Sequence, residues 1–171
     1  VANIFATDTN LDDYAIVYGD AEFRLRRIAY ITQAGDSSIN RFMPFSHQAS
    51  FIRSDVAKAY KFDLKYRIAA DTALSLQLLK KGFSFKYIPT LVCVYDALQG
   101  LSVHNEGARA EELVAMQKEW NGINSEDPYF KGFVKDAYQK QKMRKLFPNW
   151  VWTIMREYSI KRTGNYRLLN D

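Results

Sequence analysis

The sequence predicts an α/β fold in which a mixed sheet with flanking helices is followed by a helical carboxyl-terminal tail. Apolar runs of strand length recur up to residue 95, an apolar helix pattern interrupts them near residues 71–81, and helical spacing dominates from residue 108 onward. Some neighbouring strands are joined by connections too short for a parallel crossover, so a mixed sheet is expected. The 171 residues suit one compact domain, since about 150 residues per domain is typical.

The first strands are predicted from apolar runs and turn residues. The run at residues 14–18 indicates a buried strand, and the Gly-Asp pair at 19–20 is expected to close it as a turn. Alternation over residues 23–31 predicts a second strand that leads into a polar loop at 33–38. A third strand-like run ends the stretch at residues 45–52.

Helices are predicted where capping residues precede a helical apolar spacing. Ser54 is expected to cap a short helix that ends near residue 60. Asp71 starts a longer helix, and Gly82 stops it. Two further helices are predicted at residues 108–120 and 127–145.

Two more strands are predicted between the Asp71 helix and the helical tail. Alternation at residues 83–87 indicates a half-buried strand, and Pro89 is expected to separate it from a fully apolar strand at 91–95. The single cysteine, Cys93, lies in that apolar run and is interpreted as a small buried hydrophobe. A loop is expected at residues 99–102.

Composition restricts the classes of function. The hydrophobic fraction of 47% and charged fraction of 25% are those of an ordinary soluble protein, and no apolar run approaches the roughly 20 residues that span a bilayer. A reducing, cytoplasmic compartment fits this composition best. Residues 1–140 hold 17 basic and 17 acidic residues, so nucleic acid is not an expected partner.

All of the excess positive charge lies in the last part of the chain. Residues 141–171 hold 7 basic and 2 acidic residues, and between residues 142 and 167 the basic ones alternate with aromatic side chains. This mixture suits peripheral contact with an anionic membrane at the inner face of the cell membrane. The alternative is a basic helix with a solvated face.

Common enzyme signatures are absent from the sequence. Only His47 and His104 supply imidazoles, no cysteine pair exists for zinc, and no glycine-rich phosphate loop is present. The triplet Asp20-Ala21-Glu22 is the one carboxylate-x-carboxylate pattern, and alone it is a very weak indication of a metal.

Several short segments resemble a known family when they are taken together. The segments are Met43–Arg53 with its His-Gln-Ala, Phe62–Asp71, and Leu79–Gly82, and the likeness extends to Tyr18–Asp20 and Gly100–Ser102. In order and spacing they resemble the second half of bacterial family 2 glycosyltransferases with the GT-A fold, enzymes that build surface polysaccharides. The resemblance implies an incomplete GT-A-like sheet over residues 1–106 and a helical, basic extension over residues 107–171.

The resemblance implies that Asp71 is the catalytic base. In the family, the matching acidic residue takes the proton from an acceptor hydroxyl as that oxygen attacks the anomeric carbon and inverts it. A carboxylate fixed at a helix start is suited to this task, and general-base catalysis contributes about 10² to 10⁴ in rate. The alternative is a capping aspartate without chemistry.

Other site residues follow from the same resemblance. His47 and Gln48 are expected to face the acceptor, or else to form a buried pair that braces the Asp71 helix. Ser102 and His104 resemble the segment that folds over the nucleotide diphosphate, or else they belong to a polar surface.

The chain also departs from the family pattern. Family members hold a divalent metal, Mg²⁺ or Mn²⁺, with an Asp-x-Asp motif that precedes the segment matching residues 18–20, and no such motif is present. Val1 and the following residues resemble the tail of an element that began earlier. The expected function is therefore a fragment of an inverting glycosyltransferase, inactive alone, whose parent transfers sugar from a nucleotide sugar to a glycan or lipid-linked acceptor. The alternative is a non-catalytic carbohydrate-binding or peripheral-membrane module.

Overall fold

The computed structural model describes residues 10–32, 45–98 and 100–169. The expected loop at residues 33–38 and the segment after Val1 lie outside these residues. Within them the chain is mixed α/β, as predicted, and its sheet is open and antiparallel rather than mixed. The elements are β1 (Ile16–Arg24), β2 (Ile28–Thr32), a 3₁₀ turn (His47–Ala49), β3 (Ser50–Ile52), α1 (Ser54–Ala59), α2 (Ala70–Lys80), β4 (Phe85–Asp96), α3 (Leu101–His104), α4 (Glu106–Asn121), α5 (Pro128–Leu146), α6 (Asn149–Lys161) and β5 (Arg167–Leu168).

The chain forms two compact units that are each discontinuous in sequence. Unit 1 takes the described residues among 1–23, 31–65 and 70–95, and unit 2 takes those among 24–30, 66–69 and 96–171. The predicted division after residue 106 stays a prediction.

Strand β1 is the centre of unit 1. It pairs antiparallel with β3, with Val17 opposite Phe51, and it also pairs with β4. Six of its nine residues are buried, the first four of them in succession. A strand that is buried on both faces needs apolar residues at successive positions. This explains the continuous apolar run at the start of β1.

The predicted turn at Gly19 and Asp20 is wrong, since β1 continues through both residues. A Cβ atom on Gly19 would lie 2.6 Å from the carbonyl oxygen of Thr90 and 2.6 Å from a methyl group of Val92. Gly19 therefore permits a close approach of β4 to β1. Such an approach of two backbones is one of the reasons why glycine occurs inside a strand.

The predicted break at Pro89 is also wrong, because β4 runs without interruption for 12 residues. Pro89 is exposed, and a proline is tolerated in a strand where its missing N–H would not have joined the ladder. The run expected to be fully buried is partly exposed, with Leu91 at 43% and Val94 at 47%. Cys93 is half-buried, and burial raises the pKa of its thiol.

The second predicted strand divides in two. Phe23 belongs to β1, the chain bends at residues 25–27, and β2 begins at Ile28. In unit 2, the N–H of Leu25 donates to the carbonyl of Ile28 at 2.8 Å, and Ile28 lies opposite Leu168 in an antiparallel pair.

The predicted helices are confirmed with small shifts of their ends. In unit 1, the predicted cap at Ser54 is wrong, because Ser54 is the first residue of α1 and Arg53 precedes it without a side-chain cap. Helix α2 ends before Gly82, whose φ of 83° is the left-handed conformation that glycine adopts most readily. Six residues of α2 are buried: Thr72, Ala73, Leu74, Ser75, Leu76 and Leu78.

Unit 2 is mainly helical. Asp127 caps α5 by accepting a hydrogen bond from the N–H of Tyr129, with Pro128 at the first helical position. The expected loop at residues 99–102 includes the start of α3, while Gln99 lies outside the described residues. The terminal helix α6 follows Pro148, and β5 is an element that the sequence did not predict.

The substitution Gly19→Ala tests the close approach of β1 and β4. We expect it to lower the free energy of unfolding by about 1–3 kcal/mol, because the added methyl group meets a backbone carbonyl that cannot rotate away. Gly132→Ala is the matched control, since nothing lies within 4 Å of its Cβ position in α5 and alanine favours a helix. Urea unfolding measures both. Equal stability of Gly19→Ala and the parent would contradict the packing described for β1.

Candidate functional site

His47 and Asp71 meet in unit 1, although they belong to different elements. His47 begins the 3₁₀ turn before β3, and Asp71 is the second residue of α2. The Nδ1 atom of His47 lies 2.5 Å from Oδ2 of Asp71. A nitrogen and a carboxylate oxygen approach this closely only with a proton between them, so Nδ1 is the donor.

The Asp71 carboxylate is fixed on both of its oxygens. Oδ1 accepts a hydrogen bond from the N–H of Thr72 at 2.8 Å, while Oδ2 faces His47. One turn further, the Ser75 hydroxyl donates to the Asp71 carbonyl at 3.0 Å. Thr72 and Ser75 are each only 4% exposed, so the start of α2 is anchored by buried neighbours.

The backbone around His47 is equally well held. The His47 carbonyl accepts hydrogen bonds from both the N–H and the hydroxyl of Ser50, the latter at 2.8 Å. Ala49 is completely buried, and Ser50 lies opposite Tyr18 in the β1–β3 pair. The position of the imidazole therefore follows from a strand register and a buried alanine.

The His47–Asp71 pair is accessible to a ligand. The side chain of His47 is 54% exposed and that of Asp71 is 25% exposed. Gln48 is exposed as well, and its Oε1 accepts a hydrogen bond from the Ser46 hydroxyl. The alternative of a buried His-Gln pair is therefore wrong, although His47 does contact the Asp71 helix.

Ser102 and His104 belong to unit 2. Both lie in the short helix α3, where Ser102 is half-buried and His104 is exposed. His104 borders a cavity of about 600 Å³ that is also lined by residues of α5 and the start of α6.

Asp20 and Glu22 do not form a metal site. Asp20 accepts a hydrogen bond from the Tyr87 hydroxyl at 2.9 Å, and Glu22 is 2% exposed. Burial, together with this hydrogen bond and the charge of Asp20, raises the pKa of Tyr87. Among residues 10–32, 45–98 and 100–169, no group of three or more His, Cys, Asp or Glu side chains is placed to hold a metal ion. The described residues thus offer no ligand set for the divalent metal that the resemblance implies for the parent protein.

Sequence patterns did not reveal the role of Glu112. Its carboxylate accepts hydrogen bonds from the backbone N–H groups of Arg67, Ile68 and Ala69, each at 2.9 Å. These three residues run directly into α2, which begins at Ala70. An acidic residue in a predicted helix carries no local indication of such a distant partner.

Helix α6 exposes several large apolar and aromatic side chains. Trp150, Ile154 and Tyr158 recur every four residues and are 61%, 49% and 66% exposed. Side chains with this spacing share one helix face. In the part of the chain that the structure describes, no helix has the length and apolar character needed to cross a membrane.

Comparison with family models, curated proteins and solved structures gives no match to this chain.

The imidazole tautomer of His47 tests the geometry of the pair. In the neutral ring we expect the proton on Nδ1, because that atom donates to Asp71, and Asp71→Ala should return the ring to the Nε2–H form that free imidazole side chains prefer. The ¹⁵N ring resonances report the tautomer directly. His104, the only other histidine, is the internal reference and should be unaffected. An unprotonated Nδ1 in the parent chain would rule out the contact.

Proposed function

We propose that this chain forms the acceptor-facing part of an inverting glycosyltransferase that uses a nucleotide-sugar donor. The observation that carries the proposal is the 2.5 Å contact between His47 and Asp71. The two residues lie in separate segments of the sequence, and the family resemblance implies that both act on the acceptor. Their contact on an accessible surface is what a shared acceptor site requires.

In the proposed reaction, Asp71 accepts a proton from a hydroxyl group of the acceptor sugar. The hydroxyl oxygen forms a bond to the anomeric carbon of the donor as the bond between that carbon and the nucleoside diphosphate breaks, with inversion. Each carboxylate oxygen has two lone-pair sites, so Asp71 can receive this proton while His47 and Thr72 remain bound. The proton then passes from Asp71 to solvent.

His47 acts as a positioning residue in this proposal. Its N–H fixes one oxygen of Asp71, which removes rotational freedom of the carboxylate before the acceptor arrives. Gln48 is exposed beside it and supplies an amide for hydrogen bonds with sugar hydroxyls. The nucleotide sugar, the glycan or lipid-linked acceptor, and a divalent metal held elsewhere in the protein are parts of the same proposal.

The substitution Asp71→Asn tests the base assignment directly. It is introduced into the protein as its cell produces it, and turnover is measured with a panel of nucleotide sugars. We expect kcat to fall by about 10² to 10⁴, because the general base is lost while the shape of the side chain is kept. The dissociation constant of the donor should remain within about twofold, since Asp71 faces the acceptor.

His47→Gln separates the two roles within the pair. A positioning histidine predicts a loss of about tenfold in kcat, smaller than the loss in Asp71→Asn. Unchanged turnover in Asp71→Asn would remove the base assignment. A loss in His47→Gln that exceeds the loss in Asp71→Asn would make His47 the base instead.

Peripheral membrane binding through α6 is a second candidate function, favoured by the exposed face of Trp150, Ile154 and Tyr158. The basic residues that flank this helix in sequence, Lys145 and Arg162 among them, complement an anionic lipid surface. A glycosyltransferase with a lipid-linked acceptor would meet its substrate at such a surface.

Flotation with vesicles tests the membrane candidate. We expect the chain to float with vesicles that contain anionic phosphatidylserine and to remain unbound with purely zwitterionic ones. The double substitution Trp150→Ser with Ile154→Ser should abolish flotation, because it removes the side chains that would enter the interface. Leu64→Ser is the matched control, since Leu64 is 90% exposed in unit 1. Equal loss in the control, or no flotation of the parent chain, would contradict the proposal.

A further inference from the structure

The cavity in unit 2 lies outside the site described above. It has a volume of about 600 Å³ and is bordered by His104 at the end of α3, by Gln141, Arg144 and Lys145 of α5, and by Asn149 at the start of α6. These five side chains all carry nitrogen, one as a guanidinium and one as an ammonium group, and they border one volume large enough for a small organic ligand.

Arg144 is the unusual member of this group. Its side chain is only 9% exposed, and its Nη2 donates to the carbonyl of Leu98 at 2.9 Å. Its Nη1 is buried and has no hydrogen-bond partner among the described residues. Burial and the nearby charge of Arg156 lower the pKa of Arg144, whereas Glu106 raises it. A buried guanidinium with an unused donor is costly unless an acceptor completes it.

The surroundings of Arg144 are also positive. Arg156 is engaged with a backbone carbonyl, that of Ala97, at 2.7 Å. Lys145 adds a second positive charge at the edge of the cavity. Glu106 opposes these positive charges with one negative charge near Arg144. The local charge therefore favours an anion.

The start of α6 adds to this preference. The helix follows Pro148, has no side-chain cap, and carries no acidic residue in its first turn. Pro148 and Asn149 both border the cavity. The amino-terminal end of a 13-residue helix carries a partial positive charge, and here that end adjoins Arg144 in the lining of one cavity.

We propose that this cavity binds a phosphate group. Arg144 supplies the N–H groups of Nη1, which have no partner among the described residues, Lys145 supplies a point charge, and the start of α6 supplies backbone N–H groups. Together these donors suit the several oxygens of a phosphate monoester. The cavity exceeds the volume of a bare phosphate, and Phe147 at its edge offers an apolar contact for the remainder of the ligand. The phosphate belongs either to a small soluble ester or to a lipid headgroup.

The site is separate from the groups proposed to carry out glycosyl transfer, and the one residue that it takes from the segment resembling the diphosphate loop is His104, at the end of α3. None of its residues takes part in the His47–Asp71 pair, and phosphate binding needs neither donor sugar nor acceptor. Loss of phosphate binding and loss of transfer are therefore separate results.

Titration of the chain with inorganic phosphate tests the proposal, with sodium chloride at matched ionic strength as the reference. We expect saturable heat in calorimetry and a rise in the thermal unfolding midpoint that chloride does not reproduce. Lys145→Gln should weaken phosphate binding by about tenfold, since one charge-assisted contact is lost. Lys142→Gln is the matched control, because Lys142 is exposed on the same helix and does not border the cavity.

Arg144→Gln should abolish saturable binding. If that variant fails to fold, because the carbonyl of Leu98 loses its donor, Lys145→Glu takes its place and should abolish binding by reversing a charge. The absence of saturable phosphate binding in the parent chain would overturn the proposal. So would a loss in Lys142→Gln as large as the loss in Lys145→Gln.

A second arm distinguishes the two sources of phosphate. Vesicles with phosphatidic acid present a phosphate monoester, whereas phosphatidylserine vesicles of equal charge do not. Retention on phosphatidic acid that is stronger than on phosphatidylserine, and that Lys145→Gln removes, identifies a lipid headgroup. Phosphate binding in solution without that preference identifies a soluble ester.

Discussion

The contact between His47 and Asp71 depends on buried structure that lies behind it. Ala49 is completely buried two residues after His47, β3 is held in register by β1, and six residues of α2 are buried. The pair itself is partly exposed, and a polar contact at an exposed position contributes at most about 1 kcal/mol to stability. The buried residues of unit 1 therefore fix the position of the pair, and the pair itself contributes little to the stability of the unit. Two accessible polar groups held by buried residues of rigid elements are typical of functional sites.

In unit 2, charged side chains form hydrogen bonds with backbone N–H and carbonyl groups that lie outside regular helices and strands. Glu112 accepts hydrogen bonds from three successive N–H groups that start at Arg67, and the buried Glu157 accepts one from the N–H of Arg27 at 2.7 Å. Arg144 and Arg156 donate in the same way to the carbonyls at residues 98 and 97. Part of the positive charge that the sequence concentrates in the tail is thus structural. Neither a solvated face nor a membrane surface accounts for these two arginines.

Local patterns predicted the helices well, because apolar spacing and the stop at Gly82 are local properties. They failed for β1 and β4, where the reason for Gly19 is a Thr90 carbonyl that no local pattern reveals. The same limit applies to the candidate site. Motif resemblance selected His47 and Asp71 separately, but their direct contact required the register of β3 and the start of α2. In the sequence, Arg144 is one of several basic residues in the tail. Its burial, and the lack of a partner for Nη1 among the described residues, depend on the tertiary structure.

The central claim is that His47 and Asp71 form the place where an acceptor sugar binds. The most direct measurement is a titration of the chain with a panel of oligosaccharides, observed through the ring resonances of its two histidines. We predict that at least one glycan shifts the His47 resonances saturably, leaves those of His104 unchanged, and loses this effect in Asp71→Ala. A panel that leaves His47 unchanged, or that shifts both histidines equally, would contradict the claim.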